Sequence, residues 1–99
     1  MKELTIAVVG ATGAVGQEIL KVMAERKIPY KELRLLASKR SAGTEIEYQG
    51  KTYTVQETTE NSFDDVDLAL FAGGPASRAY GRIAQSKGCV VIDNSSTFR

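Results

Sequence analysis

Three evenly spaced glycines follow the first apolar run of the chain, and their positions suggest a phosphate site. The apolar run covers residues 4–9, Gly10, Gly13 and Gly16 come next, and an amphipathic segment follows at residues 17–27. A strand, a glycine turn and a helix in this order place backbone N–H groups at a helix N-terminus, where a nucleotide phosphate can bind. The pattern therefore predicts a dinucleotide site.

Each glycine has its own expected task. Gly10 would make the sharp turn, Gly13 would let a diphosphate reach the start of the helix, and Gly16 would let the helix pack closely on the first strand. The spacing G-x-x-G-x-x-G differs by one residue from the commoner G-x-G-x-x-G, and glycines also recur in ordinary turns. The position between a β-rich run and a helical pattern favours the nucleotide interpretation over turn formation alone.

Hydroxyl and cationic side chains follow the second apolar run and indicate which dinucleotide would bind. A site that prefers NAD usually carries Asp or Glu about 20 residues beyond the glycine turn, where it accepts hydrogen bonds from the adenine ribose. This sequence has Ser38, Lys39, Arg40 and Ser41 there instead. Arg suits phosphate oxygens and Ser adds a donor, so the pattern favours the 2′-phosphate of NADP. The alternative is that Lys39 and Arg40 are solvated loop charges.

Apolar periodicity predicts the elements that would position these residues. Alternating strands and helices predict an α/β fold, with a Rossmann-like open, mainly parallel sheet. Alternation of apolar and polar residues on both sides of Gln49-Gly50 adds a solvent-facing antiparallel hairpin insertion. The predicted core strands are residues 3–9, 33–38, 67–72 and 89–93, and the predicted helices are residues 17–26 and 75 to a cap at Gly88.

The loops that follow the four core strands share a composition. Residues 10–13, 38–41, 72–74 and 94–99 are mostly small, polar or basic. Ligands of open parallel sheets bind beyond the carboxyl ends of the strands, so these loops are the expected site. The alternative is that their Gly, Ser and Asn residues only make turns.

Composition excludes several other functions. The 99 residues suffice for one domain, and 13 Lys and Arg nearly balance 12 Asp and Glu, which leaves no basic face for nucleic acid. No apolar run approaches the roughly 18 residues of a membrane span, and the N-terminal run does not fit a signal peptide. A single cysteine cannot form an internal disulfide, and no histidine is present. We therefore expect a cytoplasmic protein with no metal site.

Four segments carry a resemblance to a known family. They are GATGAVG at residues 10–16, LASKRSAG at 36–43, ALFAGG at 69–74 and VIDNSSTFR at 91–99. With these segments in order over its whole length, the chain resembles the N-terminal part of bacterial aspartate-β-semialdehyde dehydrogenases. The second and fourth segments are more specific than the glycine turn.

The resemblance implies a reaction and a set of site residues. The family uses NADPH to reduce L-aspartyl 4-phosphate to aspartate semialdehyde and phosphate, through a thioester on a cysteine. Positions that match the family motifs would contact the cofactor diphosphate at Thr12, Gly13, Ala14 and Val15, and its 2′-phosphate at Arg40 and Ser41. Gly73 and Gly74 would lie against the cofactor, Arg99 would bind the substrate phosphate, and Asn94 would lie near it.

The resemblance also implies that this chain holds no catalytic residue. The family nucleophile lies in an Asn-Cys motif beyond residue 99, and Cys89 begins an apolar strand, where burial would raise its pKa. Residues 1–99 would then be an NADP-binding segment without the catalytic and dimer-forming domain, inactive alone, from a parent enzyme that is a homo-oligomer. The alternatives are the cofactor domain of an N-acetyl-glutamyl-phosphate reductase and a non-catalytic NADP-binding module.

Overall fold

The computed structural model describes residues 4–72 and 75–93, so the predicted site residues Gly73, Gly74, Asn94 and Arg99 lie outside the described part. Strands and helices alternate along the chain. In chain order the elements are β1 (Leu4–Val9), α1 (Ala14–Glu25), β2 (Tyr30–Ala37), β3 (Glu45–Tyr48), β4 (Lys51–Thr54), β5 (Gln56–Glu57), a 3₁₀ turn (Glu60–Phe63), β6 (Leu68–Phe71), α2 (Pro75–Ser86) and β7 (Val90–Asp93).

Five strands form one parallel sheet in the order β5-β2-β1-β6-β7. The chain leaves β1 toward β2 on one side and later adds β6 on the other side. Ligands of open α/β sheets bind where the strand order reverses in this way, at the carboxyl edge. The expected α/β fold with a mainly parallel Rossmann-like sheet is confirmed.

The predicted antiparallel hairpin is also present, as β3 paired with β4. Gln49 and Gly50 at its tip both have positive φ, at 51° and 82°, as a two-residue hairpin turn with matching twist requires. Tyr48 is buried, and its hydroxyl donates to the Leu20 carbonyl of α1 at 2.7 Å. One face of the hairpin therefore covers α1, and only the other reaches solvent.

The central strand of the sheet, β1, separates two hydrophobic cores. Ile6 and Val8 face the core that includes α1 and the hairpin, whereas Ala7 and Val9 face the core that includes α2. Successive strand residues point to opposite faces, and both faces of a parallel sheet are covered. A nearly continuous apolar sequence in β1 follows from this double coverage.

Two element starts differ from the sequence prediction by three residues each, and one short strand was not predicted. α1 starts at Ala14 rather than at residue 17, because Gly13 is its N-cap. β2 starts at Tyr30 rather than at residue 33, because the chain is already extended directly after Pro29. The two-residue strand β5 was not predicted, since two residues carry no periodic signal.

Both helices end in the same backbone motif. After α2, the N–H groups of Gly88 and Cys89 donate to the Gln85 and Ala84 carbonyls, and Gly88 has φ +90°, so the predicted glycine cap is confirmed. After α1 the equivalent residue is Lys27, with φ 52°.

Across the described ranges, no helix combines the length and apolarity that crossing a bilayer demands.

Candidate functional site

The turn after β1 is fixed to the neighbouring strands on both sides. The N–H groups of Gly10 and Ala11 both donate to the Leu36 carbonyl of β2, at 2.8 and 3.0 Å. Gly10 has φ +85°, and a Cβ there would lie 3.1 Å from the Ala72 Cβ beyond β6. Gly10 thus meets both expectations for a turn glycine, a left-handed backbone and a close neighbour.

Gly16 is required for packing. A Cβ on this residue would lie 2.1 Å from the Gly10 oxygen and 2.8 Å from the Ala11 Cα. Both neighbours are backbone atoms, which cannot rotate away. The close helix approach expected of Gly16 is present, and its partner is the turn after β1.

Gly13 differs from the other two glycines, since the fold does not require a glycine there. Its φ of −81° and ψ of 172° are ordinary extended values for any residue. A Cβ would lie 3.5 Å from the Gly10 oxygen, which is a normal contact. Gly13 is also the N-cap of α1 and provides no side-chain cap; glycine is accepted at this position, but Ser, Asp and Asn are slightly better caps. Glycine leaves the space above the helix start open.

Unpaired donors face this space. Gly13 donates its N–H to the Gly10 oxygen at 3.1 Å. Among the described residues, no acceptor lies within hydrogen-bond reach of the N–H groups of Thr12, Ala14 and Val15. These donors lie at the positive end of the helix dipole, an arrangement that favours a negatively charged group. The Gly13 amide is not among the free donors.

A cleft of about 340 Å³ adjoins the turn on the side of β2 and β5. Sites for small molecules begin at about 300 Å³, so this cleft is large enough for part of a dinucleotide. Its walls are the carboxyl ends of three parallel strands and one face of α2. The lining residues are Val9, Gly10, Ala37, Ser38, Lys39, Glu57, Thr58, Ala79 and Tyr80.

The loop after β2 forms a helical turn. The N–H groups of Ser41 and Ala42 both donate to the Ser38 carbonyl at 3.0 Å. Ser38 and Lys39 line the cleft, whereas Arg40 and Ser41 lie one step further along the loop and do not. The structure thus places Ser38 in the same cleft as Gly10, whereas the exposed Arg40 is not part of the cleft lining.

Glu57 and Tyr80 line the cleft and were not among the sequence-predicted site residues. Glu57 ends the unpredicted strand β5, and Tyr80 lies in the middle of α2. A strand assignment at residues 56–57 would have placed Glu57 at the carboxyl edge. No periodic signal marks a strand of that length.

Cys89 is a core residue. It is 7% exposed, and its thiol donates a weak hydrogen bond to the Phe63 carbonyl at 3.6 Å. Burial raises the pKa of the Cys89 thiol, and the nearby Asp67 raises it further. A thiolate nucleophile needs a lowered pKa, so the structural interpretation of Cys89 is confirmed.

A family model described as "Semialdehyde dehydrogenase, NAD binding domain" matches residues 5–99. The aspartate-semialdehyde dehydrogenase of Bacillus subtilis is 52% identical over 97 residues, which are 97% of this chain and 28% of that protein. Its Campylobacter jejuni counterpart is 50% identical over 101 residues, covering 99% of this chain and 29% of that protein. The chain therefore spans less than a third of the length of these relatives.

Solved structures give the same picture. Aspartate semialdehyde dehydrogenase II of Vibrio cholerae, described as complexed with ASA, superposes with a TM-score of 0.87 at 45% identity, over 94% of this chain and 31% of that one. The Candida albicans enzyme, described as a structure with NADP, has a TM-score of 0.61 at 21% identity, over 98% of this chain and 31% of that one. The second likeness shows the fold alone.

Proposed function

Since the chain belongs to the family of semialdehyde dehydrogenase NAD-binding domains, we propose that it is the NADP-binding domain of an aspartate-semialdehyde dehydrogenase. The whole enzyme would reduce L-aspartyl 4-phosphate to aspartate semialdehyde and release phosphate. Relatives of that name at about half identity support the substrate class.

The observation that carries this proposal is the open N-cap at Gly13. Gly13 has an ordinary backbone conformation and room for a Cβ, so the fold does not need a glycine at this N-cap. A diphosphate that must reach the N–H groups of Ala14 and Val15 does need that space. A glycine turn that served the fold alone would require only Gly10 and Gly16.

A Gly13→Ser variant tests this interpretation. Serine is a favoured N-cap whose hydroxyl accepts from the second or third helical N–H, here Val15 or Gly16. We expect the variant to fold with equal stability or with a gain of about a few tenths of a kcal/mol. Its NADPH affinity should fall at least about tenfold, because the side chain fills the phosphate space and takes a donor. Unchanged NADPH affinity would contradict the proposal.

The preference for NADP over NAD rests on the loop after β2. Ser38, Lys39 and Arg40 are exposed in this loop, and residues 37–44 contain no carboxylate that would repel a 2′-phosphate. Arg40 would bind that phosphate from this loop, with Ser41 beside it.

Arg40→Ala separates the two cofactors. Loss of one guanidinium–phosphate interaction should weaken NADPH binding by about tenfold or more and leave NADH binding nearly unchanged. Lys51→Ala, an exposed cation on β4, is the matched control and should change neither. An equal loss for both cofactors in Arg40→Ala would contradict the assignment.

The remaining steps of the reaction would use groups outside the described residues. The bound cofactor would supply the hydride, and a cysteine other than the buried Cys89 would form the thioester. Gly73 and Gly74 would lie beside the cofactor, while Arg99 and Asn94 would bind the substrate phosphate. The parent enzyme would be a cytoplasmic homo-oligomer.

A further inference from the structure

Among the residues that the structure describes, Glu57 is the only acidic side chain that lines the cleft described above. Its side chain is exposed, and within residues 4–72 and 75–93 its carboxylate makes neither a hydrogen bond nor an ion pair. The acceptor oxygens are therefore available to a ligand in the cleft.

The backbone that carries Glu57 is held on both sides. Glu57 pairs with Ala37 in the parallel register of β5 and β2, and its carbonyl accepts a hydrogen bond from the Ser62 hydroxyl at 3.3 Å. The next residue, Thr58, donates both its N–H and its buried hydroxyl to the Ala37 carbonyl, at 2.9 and 3.0 Å. A fixed backbone presents the carboxylate from a constant position.

The position of the cleft identifies which half of a dinucleotide it would hold. The phosphate donors lie at the start of α1, and the cleft extends from Gly10 toward β2 and β5, away from β6 and β7. The loop with Lys39 and Arg40 lies on that side, so the half with the 2′-phosphate must lie there too. That half is the adenosine.

The cleft also offers a flat surface for a base. Tyr80 lines it from α2, and the Tyr80 ring packs against Phe63 with ring centroids 6.1 Å apart. Val9 and Ala37 add small apolar surface from the strand ends. Aromatic and aliphatic walls of this kind suit a planar heterocycle.

The cleft lining contains a cation, Lys39, and an anion, Glu57, which would favour different parts of the adenosine half. A carboxylate repels a phosphate, so the 2′-phosphate must lie on the Lys39 side and leave Glu57 to the base. The edge of adenine that differs from other purines carries an exocyclic amino group, which donates hydrogen bonds. We propose that Glu57 accepts a hydrogen bond from this amino group and makes the cofactor site specific for adenine. This inference rests on the proposed function.

A cofactor analogue tests the proposal directly. In reduced nicotinamide hypoxanthine dinucleotide phosphate, a carbonyl oxygen replaces the amino group and would face the Glu57 carboxylate. We expect the chain to bind NADPH at least about tenfold more tightly than this analogue, since one charge-assisted hydrogen bond is replaced by repulsion between acceptors.

The Glu57→Gln variant should no longer discriminate between NADPH and the hypoxanthine analogue. An amide can accept from the amino group or donate to the carbonyl, so the two affinities should come within about threefold of each other. Glu60→Gln, an exposed acid in the 3₁₀ turn outside the cleft, is the matched control and should keep the wild-type ratio. Titration of both ligands by nicotinamide fluorescence gives each ratio, and circular dichroism checks the fold.

The outcomes distinguish this inference from the proposed function. If wild type and Glu57→Gln show the same ratio of NADPH affinity to analogue affinity, Glu57 does not recognise the adenine amino group, and only this inference is wrong. If the wild-type chain binds neither NADPH nor the analogue at millimolar concentration, the proposed function is wrong and the inference is lost with it.

Discussion

Replacing Gly16 with alanine should destabilise the chain, although alanine is the better helix former. In the interior of a helix, Gly→Ala gains about 1 kcal/mol in the free energy of unfolding. At Gly16 the new methyl group would lie 2.1 Å from the Gly10 oxygen and 2.8 Å from the Ala11 Cα. Relief requires α1 to move away from the turn after β1, which breaks packing that both elements share.

The size of the effect follows from these opposing contributions. Forcing one methyl group into a packed site costs about 1–3 kcal/mol, and more where the obstacle is backbone. The backbone obstacle at 2.1 Å places Gly16 at the upper end of this range, about 3 kcal/mol, and subtracting the helix gain of about 1 kcal/mol leaves an expected net loss of about 2 kcal/mol. A domain of this size has a total stability of roughly 5–15 kcal/mol, so such a loss is a large fraction of it.

Gly81 in α2 provides the matched control. A Cβ there would meet nothing within 4 Å, so Gly81→Ala should realise the helix gain of up to about 1 kcal/mol. Urea unfolding followed by circular dichroism measures both variants, and an unchanged slope with denaturant shows that the midpoints report stability. If Gly16→Ala is as stable as wild type, or if the two variants shift equally, the packing role of Gly16 is wrong.

Three further predictions concern stability. Lys27→Gly should gain up to about 1 kcal/mol in urea unfolding, because Lys27 holds a left-handed backbone at φ 52°; a loss would contradict this account. Tyr48→Phe should lose about 1 kcal/mol with the buried hydrogen bond to Leu20, whereas an unchanged midpoint would show that the bond contributes nothing. Burial raises the pKa of Tyr30 and Tyr48, so the folded chain favours the neutral phenols. Their contribution to the free energy of unfolding is therefore complete below about pH 10 and is lost as the pH rises above that value. Urea unfolding at about pH 8 and about pH 11 should show this loss of stability in the wild-type chain and a smaller loss in Tyr30→Phe. Equal losses in the two chains would contradict a contribution from Tyr30.

The sequence was sufficient to predict the fold where local patterns and global topology agree. The parallel sheet follows from short apolar runs that alternate with helical spacing, and the hairpin follows from alternation around Gln49-Gly50. The start of α1 was missed by three residues because Ala14, Val15 and Gly16 belong both to the glycine pattern and to the first helical turn. Composition alone does not divide a segment between two elements.

The sequence predicted part of the lining of the candidate cleft, and the lining residues that it missed share one reason. Gly10 and Ser38 were found because they directly follow long core strands, at the edge where ligands bind. Glu57 and Tyr80 reach the same cleft from a two-residue strand and a helix face, and only tertiary packing shows that these lie beside β2. The different roles of the three glycines likewise follow only from the backbone angles and neighbouring atoms in the structure.

The most direct test of a phosphate site at the start of α1 is the amide NMR spectrum of the ¹⁵N-labelled chain during titration with NADPH. We expect the amide signals of Thr12, Ala14 and Val15 to shift most and to saturate together, since their free N–H groups would acquire phosphate acceptors. The amide of Gly50, at the tip of the hairpin, should remain unchanged. Saturable NADPH binding that leaves the signals of Ala14 and Val15 in place would contradict the account.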